Sequence, residues 1–321
     1  MLSPAARLAL LLLLAGCSVI SVDLTPPIKA LEEATVEGRG NAKILLLDIS
    51  GVLSDEAVTP VLTLGSPPAR VPLLVRIREE LKKAEDDSKV RALVVRINSP
   101  GGTVTASDIV YRELELFRQR AKIPVVAALM DVAASGGYYV ALAADTIVAH
   151  PTTVTGSIGT IMVNVNAEGL MQKIGVAATT IKSGEHKDMG SPFRTLTDEE
   201  RKIFQGVIDD LHRQFVAKVV ERRRLAADAA RRLADGRVFT AEQALTHGLI
   251  DRVGYMPDAL DLARQAAGVS EAKVVVYRRP RQYRATYYAR AEGAGGGLEA
   301  SVSQLAALAA PGPRFLYLWW P

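Results

Sequence analysis

Between Lys43 and Val253, short continuous apolar runs alternate with segments whose apolar residues recur every three or four positions. Lys43 to Ile49, Ala92 to Ile97 and Val125 to Leu129 read as buried strands. Leu74, Ile77, Leu81 and Ala84 fall on one face of a helix between the first two runs. A second helix is predicted from about Thr105 to Arg120, and a third in the small-residue stretch Ala134 to Ala144. Strands alternating with helices of this length predict an α/β fold built on a covered, largely parallel sheet.

Further along, Thr197-Asp198-Glu199-Glu200 predicts a capping box opening a long helix, with Ile203, Val207, Leu211, Phe215 and Val219 as its apolar face. Arg222, Arg223 and Arg224 on its other side read as solvated surface. A second box, Thr240 to Gln243, opens a short helix stopped by Gly248. After residue 267 the pattern changes: Tyr277 to Arg290 mixes tyrosines with arginines, a glycine run spans Gly293 to Gly297, and Phe315 to Trp320 is aromatic. These residues, 268–321, are expected to be a tail, suited to an anionic membrane surface or another subunit rather than nucleic acid.

Ahead of the domain, Arg7 precedes the apolar run Leu8 to Leu14, well short of the roughly 20 residues a membrane span requires. Leu14-Ala15-Gly16-Cys17 follows and resembles a bacterial lipobox, in which Cys17 would be lipidated; an uncleaved single-pass anchor is the alternative. The expected organisation is a signal segment or anchor at 1–17, a tether at 18–41 with Pro26, Pro27, Gly38 and Gly40, and one domain at 42–267. Both readings of the anchor put the domain on a membrane, outside the cytoplasm. Cys17 is the one cysteine in 321 residues, so no intramolecular disulfide and no cysteine metal site can form. A formal net charge of +4 gives no reason to invoke nucleic acid. No metal-ligand spacing and no phosphate-binding glycine loop after a strand occurs, and no cofactor is expected.

Two glycine-rich turns follow successive predicted strands: Pro100-Gly101-Gly102 and Ala134-Ser135-Gly136-Gly137. Loops at the carboxyl ends of a parallel sheet converge on ligands. Ser135 would be exposed there on a rigid scaffold, glycines beside it would admit a substrate backbone, and an N–H of Gly101 or Gly102 could face the same point. Taken alone, such a serine turn is more often a packing device, and it is not the G-x-S-x-G elbow.

Asn98-Ser99-Pro100-Gly101-Gly102, Ala134-Ser135-Gly136-Gly137-Tyr138-Tyr139, Thr155-Gly156-Ser157-Ile158-Gly159 and Lys187-Asp188 ahead of Ser191-Pro192, taken together and in this order, resemble the short form of signal peptide peptidase A. The resemblance covers about Ala42 to Ala267. It implies the ClpP/crotonase fold, with repeated β-β-α units and a C-terminal helical extension. It further implies Ser135 as nucleophile, Lys187 as general base, Gly102 as oxyanion donor beside Gly101 and Gly136, and Ser157 as the hydroxyl that orients the lysine amine. It also implies a homo-oligomeric ring acting on extended apolar peptides, remnant signal peptides among them.

The residue types agree with that chemistry. A serine hydroxyl needs a base, either a histidine or a lysine kept neutral by burial. Bringing a lysine from about 10.4 to near 7 or 8 costs on the order of 4 kcal/mol, which requires a desolvated pocket. Four histidines, His150, His186, His212 and His247, are available; His212 and His247 occupy bland positions, and His186, beside Lys187, is its rival. Lys182 is a second rival; in an extended segment it would face the side opposite Lys187. Rival functions are a catalytically silent ring scaffold and a crotonase-type acyl-thioester enzyme.

Overall fold

The computed structural model describes residues 29–55, 71–280, 282, 284–289 and 314–319. The expected signal segment, Cys17 and the glycine run lie outside them. Among the described residues no helix is long and apolar enough to cross a membrane.

In chain order the first half gives β1 (Glu32–Glu37), β2 (Ala42–Ser50), the helix Leu73–Glu85, β3 (Val90–Ser99), β4 (Gly101–Thr103), the helix Val104–Ala121, β5 (Val125–Ala134), the short helix Gly136–Ala141, β6 (Thr146–Ala149), β7 (Val154–Gly156) and β8 (Ile161–Val163). The second half is mainly helical: Glu168–Lys173, Asp198–Arg223, Ala227–Leu233, Ala241–Thr246 and Met256–Ala266, with β9 (Val238–Thr240) and β10 (Arg252–Val253) between them. It ends in β11 (Ala272–Arg278) and β12 (Arg314–Leu318). The main sheet runs β1-β11-β2-β3-β5-β6-β10, parallel except for β1, and β7 pairs with the end of β5. This is the predicted α/β class.

Both faces of the sheet are covered, which explains why its strands are apolar without alternation. Successive side chains point to opposite faces. Leu45, Leu47 and Ile49 of β2 therefore join the layer of Ile77, Leu81, Val110 and Phe117, while Ile44 and Leu46 meet Met256, Ala259, Leu260 and Ala263 on the other side. Both predicted capping boxes are present, at Thr197 with Glu200 and at Thr240 with Gln243.

Several expectations are corrected. The folded part starts before Ala42, because β1 inside the expected tether pairs with β11. β11, inside the expected tail, is an inner strand of the sheet between β1 and β2. Arg284 is 2% exposed and donates to the Tyr277 carbonyl, and Arg279 pairs with Glu79, so these basic residues hold the fold rather than a membrane. Arg222 and Arg223 are likewise structural: Arg222 donates to the carbonyls of Leu142 and Ala144, and Arg223 to Gly248 and Asp251. The third helix is only Gly136–Ala141, because β5 continues to Ala134 and Ser135 breaks the chain direction. On the long helix Ile203 and Val207 are exposed, while Phe204, Phe215 and Val219 are buried. The apolar stripe drawn from the sequence is thus half on the surface.

Candidate active site

Ser135 sits where β5 turns into the short helix, with φ 52° and ψ −116°. A non-glycine residue there is strained by about 1–3 kcal/mol and persists only where its surroundings over-determine it. They do. Its N–H donates to the Gly156 carbonyl at 2.7 Å, and its carbonyl accepts from Tyr139 N–H at 2.8 Å. Tyr138 and Tyr139 pin the following helix through their hydroxyls, Tyr138 donating to the Leu249 carbonyl and Tyr139 to Asp108. Burial pushes both phenols well above their ordinary range. The Ser135 hydroxyl itself is buried and has no hydrogen-bond partner among the described residues. Everything around this residue is held, and its reactive atom is left unused.

Of the expected oxyanion glycines, Gly136 follows it directly and Gly101 lies against Gly136. Gly101 has φ 104°, a conformation that favours glycine. At Gly102 an added Cβ would run into the backbone of Leu53, so only glycine lets β4 pass that close. Ser99 braces the turn: its hydroxyl donates to the Gly51 carbonyl at 2.6 Å and accepts from Gly101 N–H at 3.1 Å. Asn98 accepts from Val132 N–H at 3.1 Å and ties β3 to β5. Gly136 is buried against the Ser107 hydroxyl. Ser157, also at positive φ (49°), follows β7 and donates its N–H to the Arg237 carbonyl at 2.8 Å. Ser157 borders a cavity of about 380 Å³ lined further by Gly159, Ile161, Asp209, His212 and Trp319.

Lys187 is not brought to Ser135. It is exposed, forms no ion pair among the described residues, and lies on a single 3₁₀ turn, Glu185–Asp188, rather than in an extended segment. Among the described residues nothing encloses it in the desolvated pocket expected for it. Lys182, by contrast, is committed: it donates to the Glu185 carbonyl and to Asp188, both at 2.7 Å. The residue that fixes this loop, Arg194, escaped the sequence reading. Its guanidinium donates to both Asp188 and Glu200, and so ties the turn bearing Lys187 to the capped start of the long helix. That pairing holds the Asp188 carboxyl far below its usual range, and Glu200 at about 2. A carboxylate directly after Lys187 was visible in the sequence, but Arg194 had no pattern to mark it.

None of the histidines replaces the lysine. His186 is exposed, 3.9 Å from Glu199. His150 bonds Thr152, His212 bonds the Ala234 carbonyl, and His247 packs edge-on against Phe239. Among the described residues no group of histidine, cysteine and carboxylate side chains could hold a metal ion.

Residues 117–270 match the model of peptidase family S49. A candidate signal peptide peptidase SppA of Enterococcus faecium is 35% identical over 77% of this chain and 70% of its own. A candidate protease of Synechocystis is 45% identical over 60% of this chain and 69% of its own. Protease 4 of Salmonella typhi is 34% identical over 62% of this chain, which spans only 32% of that longer protein. Among solved structures, ClpP1 of Listeria monocytogenes aligns with 67% of this chain and 94% of its own at 16% identity and a TM-score of 0.42.

Proposed function

Because the chain belongs to peptidase family S49 and is a serine peptidase, we propose that Ser135 is its nucleophile, Lys187 its general base and Gly102 its oxyanion donor. The observation that carries this is the state of Ser135: a buried, backbone-strained serine at a sheet end, its hydroxyl without a partner among the described residues, followed by glycines. The hydroxyl attacks the scissile carbonyl, the base takes its proton and returns it to the leaving amine, and water then cleaves the acyl-enzyme.

Lys187 is exposed in one chain, so the dyad requires a further docking step that desolvates the amine. We infer that this step is assembly into a ring, with the lysine delivered by a neighbouring copy into the space beside Ser157. The loop and the helix it leans on support this, since they expose Leu170 (63%), Ile181 (98%), Phe193 (49%) and Ile203 (39%), a set of apolar side chains suited to burial against another chain. Its substrates are extended apolar peptides, remnant signal peptides among them, read by strand pairing. The enzyme works outside the cytoplasm, anchored through lipidated Cys17 or through an uncleaved segment.

A fluorophosphonate probe tests the centre. Labelling of the wild type at Ser135, and none in Ser135→Ala, is expected; a wild type that stays unlabelled and inert on peptides would sink the assignment and favour the silent scaffold.

A further inference from the structure

The turn Gly156-Ser157 is bonded on two sides. The Gly156 carbonyl accepts from Ser135 N–H at 2.7 Å, and Ser157 N–H donates to the Arg237 carbonyl at 2.8 Å. Arg237 closes the loop 234–237, which leaves the helix Ala227–Leu233 and turns at Gly236 (φ 89°) into β9, the partner of β7. This loop runs beside the site, since a Cβ on Gly159 would stand 3.5 Å from the Gly236 Cα. Within it, Asp235 accepts from the N–H and the guanidinium Nε of Arg237. Those bonds shape the loop and do not anchor it to the long helix on the other side of the cavity.

His212 supplies the anchor. It is half-buried on the long helix Asp198–Arg223, one turn ahead of buried Phe215, and its Nε2 lies 2.8 Å from the Ala234 carbonyl. A carbonyl only accepts, so Nε2 carries the hydrogen. Ala234 directly follows the helix Ala227–Leu233, and its methyl is buried. Carbonyls at a helix end lack partners within the helix, and a histidine can satisfy one of them. His212 thereby joins the long helix to the loop that holds Ser157, and it lines the same cavity of about 380 Å³ that Ser157 borders.

We propose that His212 is a positioning residue of the peptidase, an inference that rests on the peptidase reading above. By holding the Ala234 carbonyl it fixes the loop 234–237, and through Arg237 it fixes the turn Gly156-Ser157 against Ser135. His212 acts through Ser157 and carries no proton in the reaction. The path is short: one side-chain bond, one loop and one backbone bond separate the ring from Ser157. A misplacement of about 1 Å at a group that orients the reactants can cost on the order of a hundredfold in rate. Releasing the loop from its anchor therefore slows the chemical step without weakening the binding of the peptide.

The full chain is made as wild type, His212→Gln, His212→Phe and His212→Ala. Each is assayed on a fluorogenic peptide, by the rate of fluorophosphonate labelling at Ser135, and by thermal unfolding. His212→Gln puts an amide N–H near the position of Nε2 and should keep kcat close to that of the wild type. His212→Phe keeps the volume of the ring without the donor, and His212→Ala removes both. These two should lose on the order of tenfold in kcat and in labelling rate, at unchanged KM and while still folded at the assay temperature. Wild-type kcat in a folded His212→Phe or His212→Ala overturns the proposal. So does a loss shared equally by His212→Gln, or one that appears only as a raised KM or as unfolding. A wild type that neither labels nor cleaves overturns the peptidase reading, and this proposal with it.

Discussion

Ser135 and Lys187 are held in opposite ways. The serine is fixed from within: its N–H and C=O are both bonded, its neighbours are buried, and its backbone is strained. The lysine rides on a single exposed turn clamped by surface ion pairs, and its amine meets nothing among the described residues. The proposed nucleophile is thus preorganised by the fold, while the proposed base stands exposed on the surface of one copy. Holding the two halves apart until assembly would also keep a single copy inert.

The largest effects should fall on the dyad. Lys187→Met keeps most of the stem's packing and removes the amine; like Ser135→Ala, it is expected to fold, assemble and lose at least about 10³-fold in kcat. His186→Ala and Lys182→Met should retain most activity. Mixing inactive Ser135→Ala with inactive Lys187→Met should restore turnover if the base comes from a neighbour. Full activity in Lys187→Met, or its abolition in a well-folded His186→Ala, would return the mechanism to a histidine.

Next in size is Gly102→Ala. Its Cβ meets the Leu53 backbone, so the N–H must move, and kcat should fall by about 10²–10³-fold. A near-wild-type rate in that variant would remove Gly102 from the oxyanion site.

The clamp should matter less. Arg194→Leu frees Asp188 and Glu200 together and lets the lysine turn wander; kcat/KM should drop on the order of tenfold to a hundredfold, with Ser135 geometry unaffected. Its pH signature can be told from that of the base. Glu200 is lowered from 4.5 to about 2, so its contribution to stability is complete above about pH 4.5 and is lost as pH falls toward 2. Activity lost well above pH 4.5 therefore has a source other than this clamp. An Arg194→Leu profile displaced across that range would contradict this separation.

The smallest effect on activity, though not on stability, is expected from Arg284→Met. It leaves buried Glu80 with one cation fewer and the Tyr277 carbonyl without its donor, at a cost of about 3–5 kcal/mol measured by urea unfolding. Unchanged unfolding would show that the tail after β11 is not needed by the core.

What the sequence determined by itself is local or periodic. Continuous apolar runs marked β2, β3 and β5 because a sheet covered on both faces leaves no strand a wet side. Capping boxes marked Thr197 and Thr240 because their partners lie three residues away. Gly101, Gly102 and Ser135 could be singled out because sharp turns accept few residue types. Only the tertiary structure decided which distant segments meet. β1 is too polar to stand out, and β11, though Val274 to Tyr277 is a continuous apolar run, sits beside the arginines that read as a tail; the two became sheet because they meet across more than two hundred residues. β12 looked like an aromatic tail, and only its pairing with β4 and β8 makes it a strand. Arg194 and Arg284 were ordinary surface arginines until the fold placed Asp188, Glu200 and Glu80 beside them. Burial of a charge depends on what arrives to surround it, and no spacing along the chain encodes that.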